Sequence, residues 1–253
     1  MPDAAPPPPE LDHDAVALFF DVDGTLVEIE REPGAVRVPG HLRGILSDLQ
    51  RATGGALALV SGRTLAQLDR LFAPLRLSAA GLHGLERRNL NSEVVRARSD
   101  PVALDAARAQ LAEFAERHPG VLLEDKGLTL ALHYRNAPEH EAAATATAEA
   151  AVAASRGALV LLRGKMVLEL KPPGWDKGQA IAAFLREAPF AGRQPVFAGD
   201  DVTDEAGFEI VNQQGGVTIR IGADAAPTHA RYRHPDVSAM QQWLQGLLAS
   251  SAR

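Results

Sequence analysis

Short apolar runs alternate along this chain with stretches whose apolar positions recur at helical spacing, the rhythm of βα units that build a parallel sheet. The apolar runs predict strands at 16–20, 57–60, 77–80, 196–198 and 217–221. Helical spacing predicts helices at 41–52, 64–72, 177–186, 204–211 and 237–248. No internal repeat interrupts this order. The expected fold class is α/β, a Rossmann-like core around a parallel sheet.

The middle of the chain breaks the rhythm and reads as a separate module. "PVALDAARAQLAEFAERHPG" places Leu104, Ala107, Leu111, Phe114 and Ala115 at helical spacing and stops at Pro119-Gly120. "VLLEDKGLTLALHYR" reads as two strands turning at 125–127, an Ala-rich helix follows at 139–155, and "ALVLLRGKMVLELKP" closes as a hairpin around 163–165. This αββαββ order makes a small sheet with helices on one face and leaves the other face free. Leu128, Leu130, Leu132 and Tyr134 fall on one side of the second strand, and Thr129, Ala131, His133 and Arg135 on the other. In the last strand Met166, Leu168 and Leu170 oppose Val167, Glu169 and Lys171, and Glu124 and Lys126 lie in the first hairpin. Such a polar face suits either solvent or a hydroxyl-rich ligand, and pattern leaves both open. The expected division is a Pro-rich tail at 1–12, a core at 13–91 and 173–253, and an inserted domain at 92–172.

Composition narrows the class. The chain has 253 residues, 46% hydrophobic and 23% charged, as ordinary folded domains do. With no cysteine it lacks a disulfide framework, a thiolate nucleophile and a Cys-based zinc site. A net charge of -6 argues against broad nucleic-acid binding, which needs clustered Lys and Arg. Neither a signal segment nor a bilayer-length apolar run is visible, so no membrane partner and a cytoplasmic location are expected. A monomer is the expectation for assembly.

Polar residues gather where strands end. Asp21 and Asp23 follow the first strand in "LFFDVDGTLV", "SGR" (Ser61, Gly62, Arg63) follows the second, and "GDDVTDE" (199–205) follows "PVFA". The carboxyl ends of a parallel sheet share one edge, so these residues are expected to meet. Several carboxylates converging there call for a cation, and hard oxygen ligands without a His or Cys cluster favour magnesium over zinc. Positions i and i+2 of an extended chain point the same way, which suits chelation or an attack-and-proton pair around one atom. A carboxylate can also attack phosphorus as a nucleophile while a neighbour handles the proton. Gly24 and Thr25 would add a sharp turn, with backbone N–H groups and a hydroxyl to donate to phosphate oxygens. The competing readings are a glycosidase-like acid/base pair, an acidic turn, and a Ser61 that only caps the next helix.

Taken in order, "DVDGTL", "SGR", the lysine of "WDKGQA" and "GDDVTDE" resemble the four motifs of haloacid dehalogenase-type phosphatases. The resemblance covers nearly the whole chain after the tail and implies a haloacid dehalogenase-like Rossmannoid core with a smaller α/β cap domain. It implies a nucleophile at Asp21, an acid/base at Asp23, a phosphate-binding Ser61 and a charge-neutralising Lys177. Magnesium would be held by the Asp21 carboxylate, the Asp23 backbone carbonyl and Asp200, with Asp204 supporting it and Asp201 a weaker candidate. "EDKGLTLALHYR", "GKMVLELKPPGWDKGQA" and "GLHGLERR" are similar to the trehalose-6-phosphate phosphatases within that superfamily. Sugar-contacting residues of that family fall on Glu124, Lys126 and Glu169. His83 and Gly84 would line the mouth of the site, and Arg63, Arg135 and Lys165 are further candidates. The implied partner is a sugar phosphate, with sucrose phosphate, a mannosylglycerate phosphate or an inert regulatory module as alternatives.

Overall fold

Every residue of Val16–Phe20 (β1) is buried, because the strand carries apolar side chains on both faces. Such a strand needs a helical layer on each side, and the computed structural model supplies both. It describes residues 6, 8, 9, 11–30, 32–223 and 226–249. The expected tail lies largely outside the described residues, although Leu11 at its end packs against the core.

Along the chain, β1 is followed by α1 (Gly40–Ala52), β2 (Leu57–Val60), α2 (Leu65–Phe72), β3 (Ser78–Gly81), β4 (Glu86–Arg88) and β5 (Val94–Arg96). Next come α3 (Pro101–Arg117), β6 (Leu122–Asp125), β7 (Leu130–His133), α4 (Glu141–Ala154), β8 (Val160–Gly164) and β9 (Val167–Lys171). The chain ends with α5 (Lys177–Phe184), β10 (Gln194–Gly199), α6 (Glu205–Gln213), β11 (Val217–Ile221), β12 (Tyr232–His234) and α7 (Val237–Ala249).

Two compact units result: 1–95 with 176–253, and 96–175. In the first, eight strands run in the order β12-β11-β10-β1-β2-β3-β4-β5. Pairing is parallel from β12 to β3, and β4 joins antiparallel. Alternate residues of β1 feed two cores. Val16, Leu18 and Phe20 pack with Leu42, Leu46, Leu68, Met240 and Leu244 of α1, α2 and α7. Ala17 and Phe19 pack with Ile181, Phe184, Phe208 and Val211 of α5 and α6. This α/β/α layering places the carboxyl ends of β1, β2 and β10 side by side.

In the second unit four antiparallel strands run β6-β7-β9-β8. Leu104, Leu111 and Phe114 of α3 and Ala144, Ala148 and Ala151 of α4 pack on Leu130, Leu132, Leu168 and Leu170. The alanines of α4 let that helix approach the sheet closely.

The structure departs from the sequence expectation in its shortest strands and at some element ends. β4, β5 and β12 are three residues each, too short for a period-two signal. β3 begins one residue later than expected, and α5 ends at Phe184 rather than at 186. On the polar face of the smaller sheet Glu169 and Lys171 are buried and Thr129 is 0% exposed, while Glu124 and His133 are partly exposed. Among the described residues no helix is long and apolar enough to cross a membrane.

Candidate active site

Chain direction brings the first acids together. Asp21 stands one residue past β1, its backbone N–H donating to Ala198 O of β10 at 3.0 Å. Its carboxylate faces Lys177 at the start of α5, where Nζ lies 2.8 Å from Asp21 Oδ1 and 2.7 Å from Asp204 Oδ1. A cation in the first turn of a helix opposes the helix dipole, so this lysine owes its place to the two carboxylates. The other Asp204 oxygen accepts the backbone N–H groups of Asp200 (3.0 Å) and Asp201 (2.9 Å), which fixes the loop after β10.

Asp21, Asp200 and Asp204 each offer a carboxylate oxygen within 4.8 Å of the others. Three carboxylates are thus gathered around one ammonium. Burial pushes the Asp21 carboxyl well above its ordinary value, Lys177 opposes that, and Asp204 and Asp200 add to it. Burial works against the Lys177 ammonium as well, but Asp204 and Asp21 more than offset it and hold the group charged. A hard divalent cation fits this oxygen-only cluster.

Gly24 makes the close approach possible. It sits at φ +82°, and a Cβ there would lie 2.1 Å from Asp200 Oδ2. Gly24→Ala is expected to cost about 2–4 kcal/mol, from left-handed backbone strain plus displacement of Asp200. Denaturant unfolding measures that loss; a change within experimental error would show that the loop adapts freely.

Two expectations for the neighbouring loops need correction. The Gly24 and Thr25 N–H groups do not point outward as phosphate donors; they bond Val27 O (2.7 Å) and Val22 O (3.3 Å) inside their own turn. The Thr25 hydroxyl is buried with no partner among the described residues. Nor does Ser61 cap the following helix. Thr64 does so, in a reciprocal box with Gln67, while Ser61 Oγ accepts the Arg63 N–H at 3.2 Å.

The "SGR" loop is tied to its neighbours on both sides. Arg63 donates to both Asp23 oxygens, Nε to Oδ2 and Nη2 to Oδ1, each at 2.7 Å. His83 N–H bonds Ser61 O at 3.0 Å and Leu82 N–H bonds Arg63 O at 2.9 Å. A Cβ on Gly62 would lie 2.7 Å from His83 Nε2, so glycine is required for the ring to pack there. Gly84, at φ +100°, continues this turn beside Asp176 O. The structure thus unites Asp21, Asp23, Ser61, Arg63, His83, Gly84, Lys177, Asp200 and Asp204 in the first unit. Sequence reasoning missed Glu86, a buried acid whose Oε1 accepts the Leu65 N–H at 2.6 Å and anchors the start of α2. Nothing local marks it, since its partner is 21 residues away.

Within the second unit Glu124, Lys126 and Glu169 cluster. Lys126 Nζ is 3.3 Å from Glu169 Oε2 and 4.0 Å from Glu124 Oε2. Of the two further candidates, Arg135 Nη2 donates to Lys165 O (2.8 Å).

Comparison with known proteins shows the family of the chain. A family model described as trehalose-phosphatase matches residues 19–238. The chain is 46% identical over 230 residues to the trehalose-6-phosphate phosphatase of Escherichia coli strain K12, covering 90% of this chain and 85% of that protein. It is 42% identical over 241 residues to a probable trehalose-phosphate phosphatase of Sinorhizobium fredii, covering 95% and 89%. The C-terminal domain of C. albicans trehalose-6-phosphate phosphatase superposes with a TM-score of 0.83 over 96% of this chain and 98% of that one, at 21% identity, a likeness of fold.

Proposed function

Because the chain belongs to the trehalose-phosphatase family, we propose that it hydrolyses trehalose 6-phosphate to trehalose and phosphate with magnesium, through a phosphorylated Asp21. The observation that carries this reading is the buried Asp21–Lys177–Asp204 arrangement with Asp200 alongside, at the carboxyl edge of the parallel sheet. A carboxylate held in place by an ammonium, within a cluster of three acids that suits a divalent cation, fits attack on an anionic phosphoryl group.

The chain's own residues divide the work as follows. Asp21 attacks phosphorus in line, forming an acyl phosphate as the bond to the sugar oxygen breaks. Asp23 gives that oxygen a proton, then takes one from the water that hydrolyses the intermediate and regenerates Asp21. Lys177 and Ser61 stabilise charge on the phosphoryl oxygens. Magnesium, held by the Asp21 carboxylate, the Asp23 backbone carbonyl and Asp200 with Asp204 behind, would supply further charge neutralisation. Arg63 donates to both Asp23 oxygens, and each keeps a second lone pair with which to meet a sugar oxygen. In the second unit Glu124, Lys126 and Glu169 hold hydroxyl groups of the sugar.

A panel of sugar phosphates tests the proposal. Phosphate release should be fastest from trehalose 6-phosphate, fall to background after chelation of divalent ions, and return with added magnesium. Preference for sucrose phosphate, or full activity in chelator, would refute the substrate or the metal respectively.

A further inference from the structure

Glu124, Ala131 and Glu169 are register partners across three neighbouring strands, β6, β7 and β9. Cross-strand partners project to the same face, so the two acids flank a side chain of one methyl group. That gap leaves room for the Lys126 ammonium, which contacts both acids. An ammonium is a point charge with rotatable donors, so it attracts carboxylates without setting their planes. Something else must orient these two.

Thr129 and His133 stand two residues to either side of Ala131 and share its face. Thr129, fully buried, donates Oγ1–H to Glu169 Oε1 at 2.7 Å. His133 Nε2 lies 3.0 Å from Glu124 Oε2, an arrangement in which the ring N–H is the donor. Each acid therefore has one oxygen near Lys126, and each has an oxygen bonded to a directional donor from the β7 segment.

We propose that Thr129 and His133 are positioning residues for sugar recognition, orienting Glu169 and Glu124 so that the acids meet hydroxyl groups in one geometry. The inference rests on the reading of the two acids as sugar contacts. Neither Thr129 nor His133 has to touch the substrate. A carboxylate freed from its orienting bond keeps its charge but loses its direction, which weakens binding of the sugar and leaves the phosphoryl chemistry alone.

The test compares Thr129→Val, its conservative partner Thr129→Ser, and His133→Phe in the full chain, on trehalose 6-phosphate and on p-nitrophenyl phosphate. Thr129→Val should raise KM for the disaccharide phosphate about tenfold or more, the scale of a lost hydrogen bond to a charged group, with kcat held within about twofold. Its KM for the aryl phosphate should not move, and Thr129→Ser should recover the wild-type value. His133→Phe should show the same split through Glu124. An unchanged KM in Thr129→Val, or an equal rise on both substrates, would overturn the inference. Should the wild type prefer another sugar phosphate, the substrate reading fails; a rise in KM for that substrate with the aryl phosphate unmoved would still support the orienting role.

Discussion

Replacing Asp21 with Asn is expected to lower turnover of trehalose 6-phosphate by on the order of 10⁴-fold or more, the scale on which loss of a reacting nucleophile is felt. The amide preserves the shape of the side chain but cannot attack phosphorus. Stability should move the other way. Burial is the largest influence on the Asp21 carboxyl and pushes it well above its ordinary 3.8. An acid raised in the folded state binds its proton more tightly there, so stability falls as pH rises above 3.8, and the ionised group opposes folding at neutral pH. Without divalent ions, Asp21→Asn should therefore melt at or above the wild-type temperature. An inactive variant that also melted several degrees lower would point to a structural role, and an active one would remove Asp21 as nucleophile.

Lys177→Met is the second large effect. Its ammonium, 2.8 Å from Asp21 and 2.7 Å from Asp204, is nearly inaccessible. The methionine fills a similar volume and leaves the carboxylates without their cation. Breaking a buried pair from one side costs about 3–5 kcal/mol, or roughly 6–20 °C in melting temperature for a chain of this size. Lys177 is held charged above its ordinary 10.5, so its contribution is intact below that value and is lost only as pH rises beyond it. The loss should accordingly appear in full at neutral pH by circular dichroism in chelator. Added magnesium should restore part of it by supplying charge to the same carboxylates. A drop of less than about 2 °C would mean that the carboxylates are relieved in some other way.

Particular residues show how far the sequence could be read. β1 and β2 have the bounds expected from their apolar runs, because strands buried on both faces carry unbroken apolar character, and β11 has its expected bounds although Thr218 and Arg220 interrupt it. Asp21 and Asp200 were readable from their places after strands, and Lys177 from the motif resemblance. The Arg63–Asp23 pair joins residues 40 positions apart, and neither local pattern nor spacing announces it. The same holds for Thr129 and Glu169, also 40 apart. Ser61 sat where a helix cap belongs, yet Thr64 has Gln67 three residues on and so forms the reciprocal box.

By itself the sequence determined the alternating α/β order, the strand ends at which acids would collect, and an inserted segment of different rhythm. Those properties are local, set by side-chain periodicity and chain direction, so they survive without coordinates. Tertiary structure alone decided which donor faces which oxygen: Arg63 on Asp23, Lys177 between Asp21 and Asp204, Thr129 on Glu169. Hydrogen bonds act over about 3 Å and depend on angle. Residues distant in sequence come to that separation only when packed strands and helices fix their relative positions.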